Sequence, residues 1–531
     1  MPDTTIPPTS EPWTPKFNPW LIGVVVAMAA FMEVLDTSIA NVALPYMAGN
    51  LGASNDESTW VLTSYLVSNA IVLPISGWLA GLFGRKRFFM TCIVLFTLSS
   101  LLCGIAPNLG VLILFRVMQG AGGGGLQPMA QAILADTFPP QKRGMAFALY
   151  GITAVMAPTI GPTLGGWITD NYSWRWIFYI NLPVGLLALF LIFRLIEDPP
   201  YLSRSRGAGV RLDYIGISLL ALGVGALQVV LDKGQEEDWF GSHFILTLSI
   251  VAGVCLVSLV IWEWFQKAPI VDVRLFKGFN FAVANMMMFM LGILLFGSLV
   301  TMPLYLQTLM GYTAESAGMV LSASGFVVLL EMPVVGQLAG KFPVKYIIGF
   351  GWLALAIGMF YSTKNMDLLI SFRAASITRV IQSFGIGFLF VPITMAGYIG
   401  VAPEKSNSVA GIINFMRNIG SSVGTSMVTT LLARRAQFHQ SVLSYHATVY
   451  DPAFRNQLNG LAAQLARSGA TPPDARLQAL GRIYQSVGIQ AETLSFLDTW
   501  MVLAVAAGIM FVLAFIVRRN DPSEGGGVAV G

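Results

Sequence analysis

The sequence predicts an all-α polytopic membrane protein with fourteen transmembrane helices. Three observations carry that prediction. Apolar runs of about 20 residues recur along most of the chain, and that length crosses a bilayer as an α-helix. Only 11% of the 531 residues are charged while 55% are hydrophobic, against about 25% charged in a soluble domain. Stretches of the first half also reappear in the second, in the same order.

The runs fall at approximately 19–43, 58–80, 87–106, 110–135, 144–168, 175–195, 212–231, 243–265, 281–306, 314–339, 346–362, 372–400, 406–433 and 497–517. The repeat pairs several of them. P-I-S-G-W-L-A-G-L-F-G-R-K from Pro74 matches P-V-V-G-Q-L-A-G-K-F-P-V-K from Pro333, at an offset of 259. R-V-M-Q-G-A-G-G-G from Arg116 matches R-V-I-Q-S-F-G-I-G from Arg379, at 263. G-P-T-L-G from Gly161 matches G-S-S-V-G from Gly420, again at 259. Spans 2, 4 and 5 thus pair with spans 10, 12 and 13. Each half is six helices, and spans 7 and 8 are inserted between them. Transporters built of two such halves hold the substrate between them near the midplane.

Lys and Arg in short loops set the orientation. With the N-terminus in the cytoplasm, the inner loops receive Arg85, Lys86, Arg87, Lys142, Arg143, the Arg194 to Arg211 segment, Lys267, Arg274, Lys277, Lys341, Lys345 and Lys405, and Arg518 and Arg519 follow the last span. The short outer loops receive only Arg175, Lys233, Lys364 and Arg373. The expected organisation is a cytoplasmic tail (1–18), a six-helix half (19–195), a linker with the two extra helices (196–280), a second half (281–517) and a cytoplasmic tail (518–531). The first 18 residues lack the charged region and short apolar core of a removable signal peptide. Residues 434–496 form a long outer loop. Its basic pair Arg434 and Arg435 lies beside a span, against the charge rule. Within it, runs starting at Gln457 and Arg476 read as two short amphipathic helices divided by the turn at Thr471.

The first apolar run contains E-V-L-D-T-S-I-A-N-V-A-L-P from Glu33 to Pro45. An ionised carboxylate at mid-helix costs about 3 kcal/mol on insertion scales. Glu33 and Asp36, three apart, share a helix face. One reading is a site that handles protons or cations; the other is a pair of capped or snorkelling carboxyls. Elsewhere the chain excludes several chemistries. Cys92, Cys103 and Cys255 fall in apolar runs and read as buried hydrophobes. His243, His439 and His446 lie at helix ends or in loops. Gly122 to Gly125 sit inside a span with no Lys-Ser/Thr following, so they form no phosphate loop. With no Walker motif, catalytic triad or metal cluster, neither an enzyme nor a cofactor is expected.

These residues resemble the major facilitator superfamily, and within it the fourteen-span drug–proton antiporters of the EmrB/QacA type. L-D-T-S-I-A-N-V-A-L-P from Leu35 is similar to that branch's first-helix motif. G-W-L-A-G-L-F-G-R-K from Gly77 resembles the superfamily's loop between spans 2 and 3. R-x-x-Q-G at Arg116, Gln119 and Gly120 resembles the span 4 motif. Gly151 with A-P-T-I-G-P-T-L-G-G from Ala157 resembles the antiporter motif of span 5. W-R-W-I-F-Y-I-N-L-P-V-G from Trp174 is also similar to the branch. One departure is Gly81, where many members carry Asp, which puts a charge-paired lock at that loop in question.

The resemblance implies proton-driven efflux of lipophilic toxic compounds across a bacterial inner membrane, with no cofactor beyond the proton gradient. It also implies a periplasmic adaptor of the EmrA type and an outer-membrane channel as partners, with the long outer loop a candidate dock. An exporter of one defined metabolite, such as a siderophore or sugar, is the alternative. Asp36 is the expected protonation site, with Glu33 beside it and Arg116 as its electrostatic modulator. A fixed cation beside a carboxyl disfavours protonation, and separating the two favours it. Asn41, Gln119, Glu331, Asn414 and Arg417 are placed on the substrate pathway. Glu331 is expected to pair with a membrane arginine or to meet water. Arg379, the repeat mate of Arg116, reads as structural or functional. Gly151, Pro158, Gly161, Pro162, Gly165 and Gly166 make span 5 a bent, closely packed helix, and the resemblance has it face its counterpart across the interface between the halves. Met286, Met287, Met288 and Met290 of span 9 read as core or lipid contact before they read as a soft drug surface.

Overall fold

The computed structural model describes residues 15–199, 213–448 and 450–516. Most of the cytoplasmic tails expected at 1–18 and 518–531, and much of the basic Arg194 to Arg211 segment, lie outside the described residues. The rest is helical, with no strand among the described residues. Span 1 is Pro19–Leu51, span 2 Trp60–Phe83, span 3 Arg85–Gly104, span 5 Arg143–Asn171 and span 6 Asn181–Leu195. The inserted pair is span 7, Tyr214–Lys233, and span 8, His243–Phe265. Span 9 is Phe279–Thr308, span 10 Ala314–Ala339, span 11 Val344–Asn365, span 13 Ser406–His446 and span 14 Pro472–Ala514. Spans 4 and 12 are each two helices, Leu109–Gly123 with Leu126–Thr137 and Phe372–Ser383 with Ile386–Gly397. Thirteen spans among the described residues are long and apolar enough to cross a membrane. Span 13 is the fourteenth, more polar and packed against spans 2, 9 and 14.

Local chemistry sets these boundaries. Asn18 accepts from the Trp20 amide and Pro19 opens span 1, while Gly52 at φ 66° ends it. Proline at a first helical position and a left-handed glycine after the last are the usual stop signs. Span 12 breaks at Gly385, whose φ is +108°, a conformation that disfavours any Cβ.

Tight glycine crossings hold the halves together. A Cβ on Gly144 of span 5 would lie 2.5 Å from the Gly336 carbonyl of span 10. A Cβ on Gly77 of span 2 would lie 2.7 Å from the Ser408 backbone of span 13. Further along the same interface, Gly325 and Gly318 of span 10 abut Thr159 and Thr163 of span 5. Span 5 therefore faces span 10, not its repeat mate span 13 as the resemblance led us to expect. The pseudo-twofold that relates the halves brings unlike helices together, 5 with 10 and 2 with 13. On the span 5 face toward span 1, Gly161 meets Ser38 and Gly165 meets Ile39, and the Pro158 carbonyl accepts from the Ser38 hydroxyl at 3.2 Å.

The inserted pair is tied to both halves. The Thr63 hydroxyl of span 2 bonds Asp232, and Lys233 bonds Thr59. On the other side Gln228 Nε2 donates to Ser422 Oγ of span 13 at 2.8 Å.

The segment 434–496 is not a loop. Span 13 runs on to His446, a separate helix covers Pro452–Arg467, and span 14 begins at Pro472. The first expected amphipathic helix exists; the second is the N-terminal end of span 14. Hydropathy marks where the membrane ends, whereas a helix stops at a breaker, and after Pro473 the segment has no proline. Thr471 caps the start, its hydroxyl accepting from the Asp474 amide. Leu458 and Leu465 pack on Ala475, Ala479 and Ile483 to form a small core of their own. Arg435 beside the membrane is held by Asp498 of span 14, with an Nε–Oδ2 distance of 2.6 Å, and His439 reaches the same oxygen at 2.6 Å.

Candidate functional site

Span 1 supplies a carboxyl to each of two clusters of buried polar side chains in the bundle. The first lies wholly inside the N-terminal half. Arg116 Nη1 donates to Asp36 Oδ2 at 2.7 Å, with Arg116 0% and Asp36 2% exposed. Asp36 Oδ1 accepts from Gln119 Nε2 at 2.9 Å and from Asn181 Nδ2 at 2.6 Å. Arg116 also donates to Gln119 Oε1 at 2.8 Å and, through Nε, to the Val61 carbonyl at 3.1 Å. Asn181 is held by Ser100 Oγ at 3.0 Å. Helices 1, 2, 3, 4 and 6 thus converge on one ion pair. Breaking a buried pair by removing one partner is strongly unfavourable, at about 3–5 kcal/mol.

The second cluster crosses between the halves. Glu33 Oε1 accepts from the Tyr65 hydroxyl at 2.9 Å and from Asn69 Nδ2 at 3.0 Å. Glu33 Oε2 accepts from Gln127 Nε2 at 2.5 Å. The Gln127 carbonyl oxygen in turn accepts from Arg417 Nη2 of span 13. Beside it, the Tyr150 hydroxyl lies 2.9 Å from Asn414 Oδ1 and 3.1 Å from Gln127 Oε1. Asn414 Nδ2 donates to Gln131 Oε1. Arg417 also lies over the Phe390 ring, 5.5 Å from its centre.

Tyr65 connects the clusters. Its hydroxyl bonds Glu33 while its ring lies 4.3 Å from the Arg116 guanidinium carbon. The resulting chain of contacts runs Asp36, Arg116, Tyr65, Glu33, Gln127, Arg417, from the interior of one half into the other.

The remaining expected residues separate. Asn41, expected on the substrate pathway, is exposed and belongs to neither cluster; five residues past Asp36, it has turned to another side of the helix. Among the described residues Glu331 pairs with no arginine, and it is turned away from solvent. It is buried, and its Oε2 accepts from the Gly387 amide at 3.3 Å, at the start of the second helix of span 12, where a helix favours negative charge. Gly151 packs against Met332 of span 10 and Phe390, whereas Gly161 and Gly165 pack on span 1 and Gly166 comes only within 4.0 Å of Val42. Pro158 and Pro162 lie inside an unbroken helix. Met287 and Met288 are core, while Met286 is exposed.

A charge pair does form near Gly81. Arg85 Nη2 donates to Asp136 Oδ2 at 2.6 Å, both side chains buried, and Asp136 Oδ1 accepts from Ser406 Oγ at 3.0 Å, at the start of span 13. The acid comes from span 4 instead of the loop.

Sequence reasoning missed Tyr65, Asn69, Gln127, Gln131 and Asn181. A signal was present. Tyr65 and Asn69, like Gln127 and Gln131, are polar pairs four apart within apolar spans, which puts each pair on one face. Asn181 stood inside a quoted motif.

A bundle of fourteen membrane helices in two related halves, with charged side chains sealed at its centre, defines a multi-pass membrane transporter. The chain belongs to the Major Facilitator Superfamily, whose profile matches residues 26–425. It is 40% identical over 442 residues to the multidrug export protein EmrB of Haemophilus influenzae, covering 83% of this chain and 86% of that one. It is 36% identical over 511 residues to the EmrB of Escherichia coli K12, covering 96% of each. Among solved structures, the proton:xylose symporter XylE bound to 6-bromo-6-deoxy-D-glucose superposes with a TM-score of 0.59 at 14% identity, covering 95% of this chain and 97% of that one; this likeness concerns the fold.

Proposed function

We propose that this protein exports lipophilic drugs in exchange for protons across a bacterial inner membrane, both termini cytoplasmic, as the inner-membrane part of a tripartite pump. The observation that carries the reading is the sealed Asp36–Arg116 pair and its connection through Tyr65, Glu33 and Gln127 to Arg417 of the opposite half. The multidrug export named for its relatives supports the substrate class.

The chemistry follows from charge. Asp36 exchanges a proton as Arg116 moves toward and away from it, because a nearby cation favours the carboxylate. A local change in that pair cannot move the C-terminal half unless something spans the interface. Gln127 and Arg417 do so: a shift of Arg116 displaces the ring packed on it, the Tyr65 hydroxyl carries the displacement to Glu33, and Gln127 links Glu33 to Arg417. Proton entry down 100 mV yields about 2.3 kcal/mol per charge, and a hundredfold gradient of a neutral drug needs about 2.7 kcal/mol. One proton and a modest pH difference drive the export.

The outer hairpin formed by Pro452–Arg467 and the start of span 14 is the proposed dock for a periplasmic adaptor. Drug transport in proteoliposomes under an imposed pH difference tests the proposal. Uptake that follows the gradient and collapses with a protonophore is expected; uptake indifferent to pH contradicts it.

A further inference from the structure

The repeat relates two arginines, and their surroundings differ. In the first half Arg116 and Gln119 both donate to Asp36. In the second, Arg379 and Gln382 keep the R-x-x-Q spacing, and Arg379 Nη1 reaches Gln382 Oε1 at 2.6 Å as Arg116 reaches Gln119 at 2.8 Å. The residue in the place of Asp36 is Ser298 of span 9, its Oγ 3.3 Å from Arg379 Nη1. Among the described residues no carboxylate forms a salt bridge with Arg379.

Part of the donor set is therefore in place without an acceptor. Among the described residues, Arg379 Nε, Gln382 Nε2 and Ser383 Oγ have no hydrogen-bond partner, and all three residues are 1% exposed. Positions 379, 382 and 383 fall on one helix face. Gln382 Nε2 is the mate of the Gln119 Nε2 that donates to Asp36. A guanidinium sealed from water without a counter-charge is strongly unfavourable, and guanidinium and amide donors on one face suit a small oxyanion or halide.

We propose that Arg379, Gln382, Ser383 and Ser298 form a binding site for a monovalent anion, either the carboxylate head of an amphiphilic compound or an inorganic halide. The site lies between spans 9 and 12, apart from the Asp36 pair, and stands whether or not that pair carries the proton.

The test is the thermal unfolding midpoint of the purified full-length protein in detergent. Chloride and octanoate are each titrated against sulfate at equal ionic strength. The expected result is a saturating rise in the midpoint, lost in S298D, which supplies the carboxylate from the protein, and lost in R379M. A rise with both anions identifies a general monoanion site; a rise with octanoate alone identifies an organic carboxylate. No rise above sulfate, a rise that never saturates, or an equal rise in either variant overturns the proposal. The wild-type titration decides by itself should neither variant fold.

Discussion

The Arg116 guanidinium carbon lies 4.3 Å from the centre of the Tyr65 ring. Arg116 is locked to Asp36, and every hydrogen bond that Asp36 accepts comes from the N-terminal half. The tyrosine also touches the second cluster, because its hydroxyl bonds Glu33 at 2.9 Å. A cation over an aromatic face is worth about 2 kcal/mol when desolvated, enough to make ring and guanidinium move together.

Tyr65→Phe separates the two contacts. The ring still packs on Arg116, but Glu33 loses a hydrogen bond, worth about 0.5–1.5 kcal/mol. Drug-driven proton release in proteoliposomes should fall about tenfold, while drug binding measured by fluorescence quenching holds. Equal flux in mutant and wild type would remove Tyr65 from the coupling route.

Gly144→Val tests the closure between spans 5 and 10. A Cβ there would stand 2.5 Å from a backbone carbonyl, which cannot rotate away, so the halves must part. Overpacking of this kind costs about 1–3 kcal/mol. The expected outcome is loss of transport, with a cysteine placed at Ala339 gaining reactivity toward a water-soluble thiol reagent. An unreactive cysteine in an active mutant would show that this crossing is no seal.

Asp136→Asn leaves Arg85 buried without its charge partner and weakens the contact to Ser406. A stability loss of about 3–5 kcal/mol is expected, read as a lower thermal midpoint. Arg85→Met in the same background should restore part of it, since two apolar or neutral groups tolerate burial better than one orphaned charge.

Leu465→Arg places a charge in the small separate core around Ala479 and Ile483. The hairpin should open without disturbing the membrane bundle. Proton-coupled transport in proteoliposomes is expected to persist while drug resistance in cells falls, the signature of a lost partner. Unchanged resistance would argue against this hairpin as a dock.

Much of the fold was legible because membrane crossing and gene-level repetition write long, redundant signals. Span positions follow from runs of apolar residues, and the pairing of halves follows from three matches at nearly one offset. The ion pair was legible as two charges that each needed a partner. Its completion was not, because Asp36 and Asn181 stand 145 positions apart and an asparagine in an apolar run looks like any other. Glu33 and Asp36 show how little a shared face decides: three residues apart, the 60° between them is enough to give the two carboxyls separate sets of partners. In the segment 434–496 low hydropathy marks only the end of membrane burial, and it is helical because alanine, glutamine, leucine and arginine all favour helix. Glu331 shows a further limit: a backbone amide freed by the break at Gly385 is invisible in a sequence until the break is known.

The central claim is that Asp36 gains and loses the transported proton. Drug-driven proton release from proteoliposomes carrying Asp36→Asn tests it most directly, with folding checked by size-exclusion chromatography. A well-folded variant that binds drug and releases no protons is the expected result. Proton release at the wild-type rate from that variant would contradict the claim.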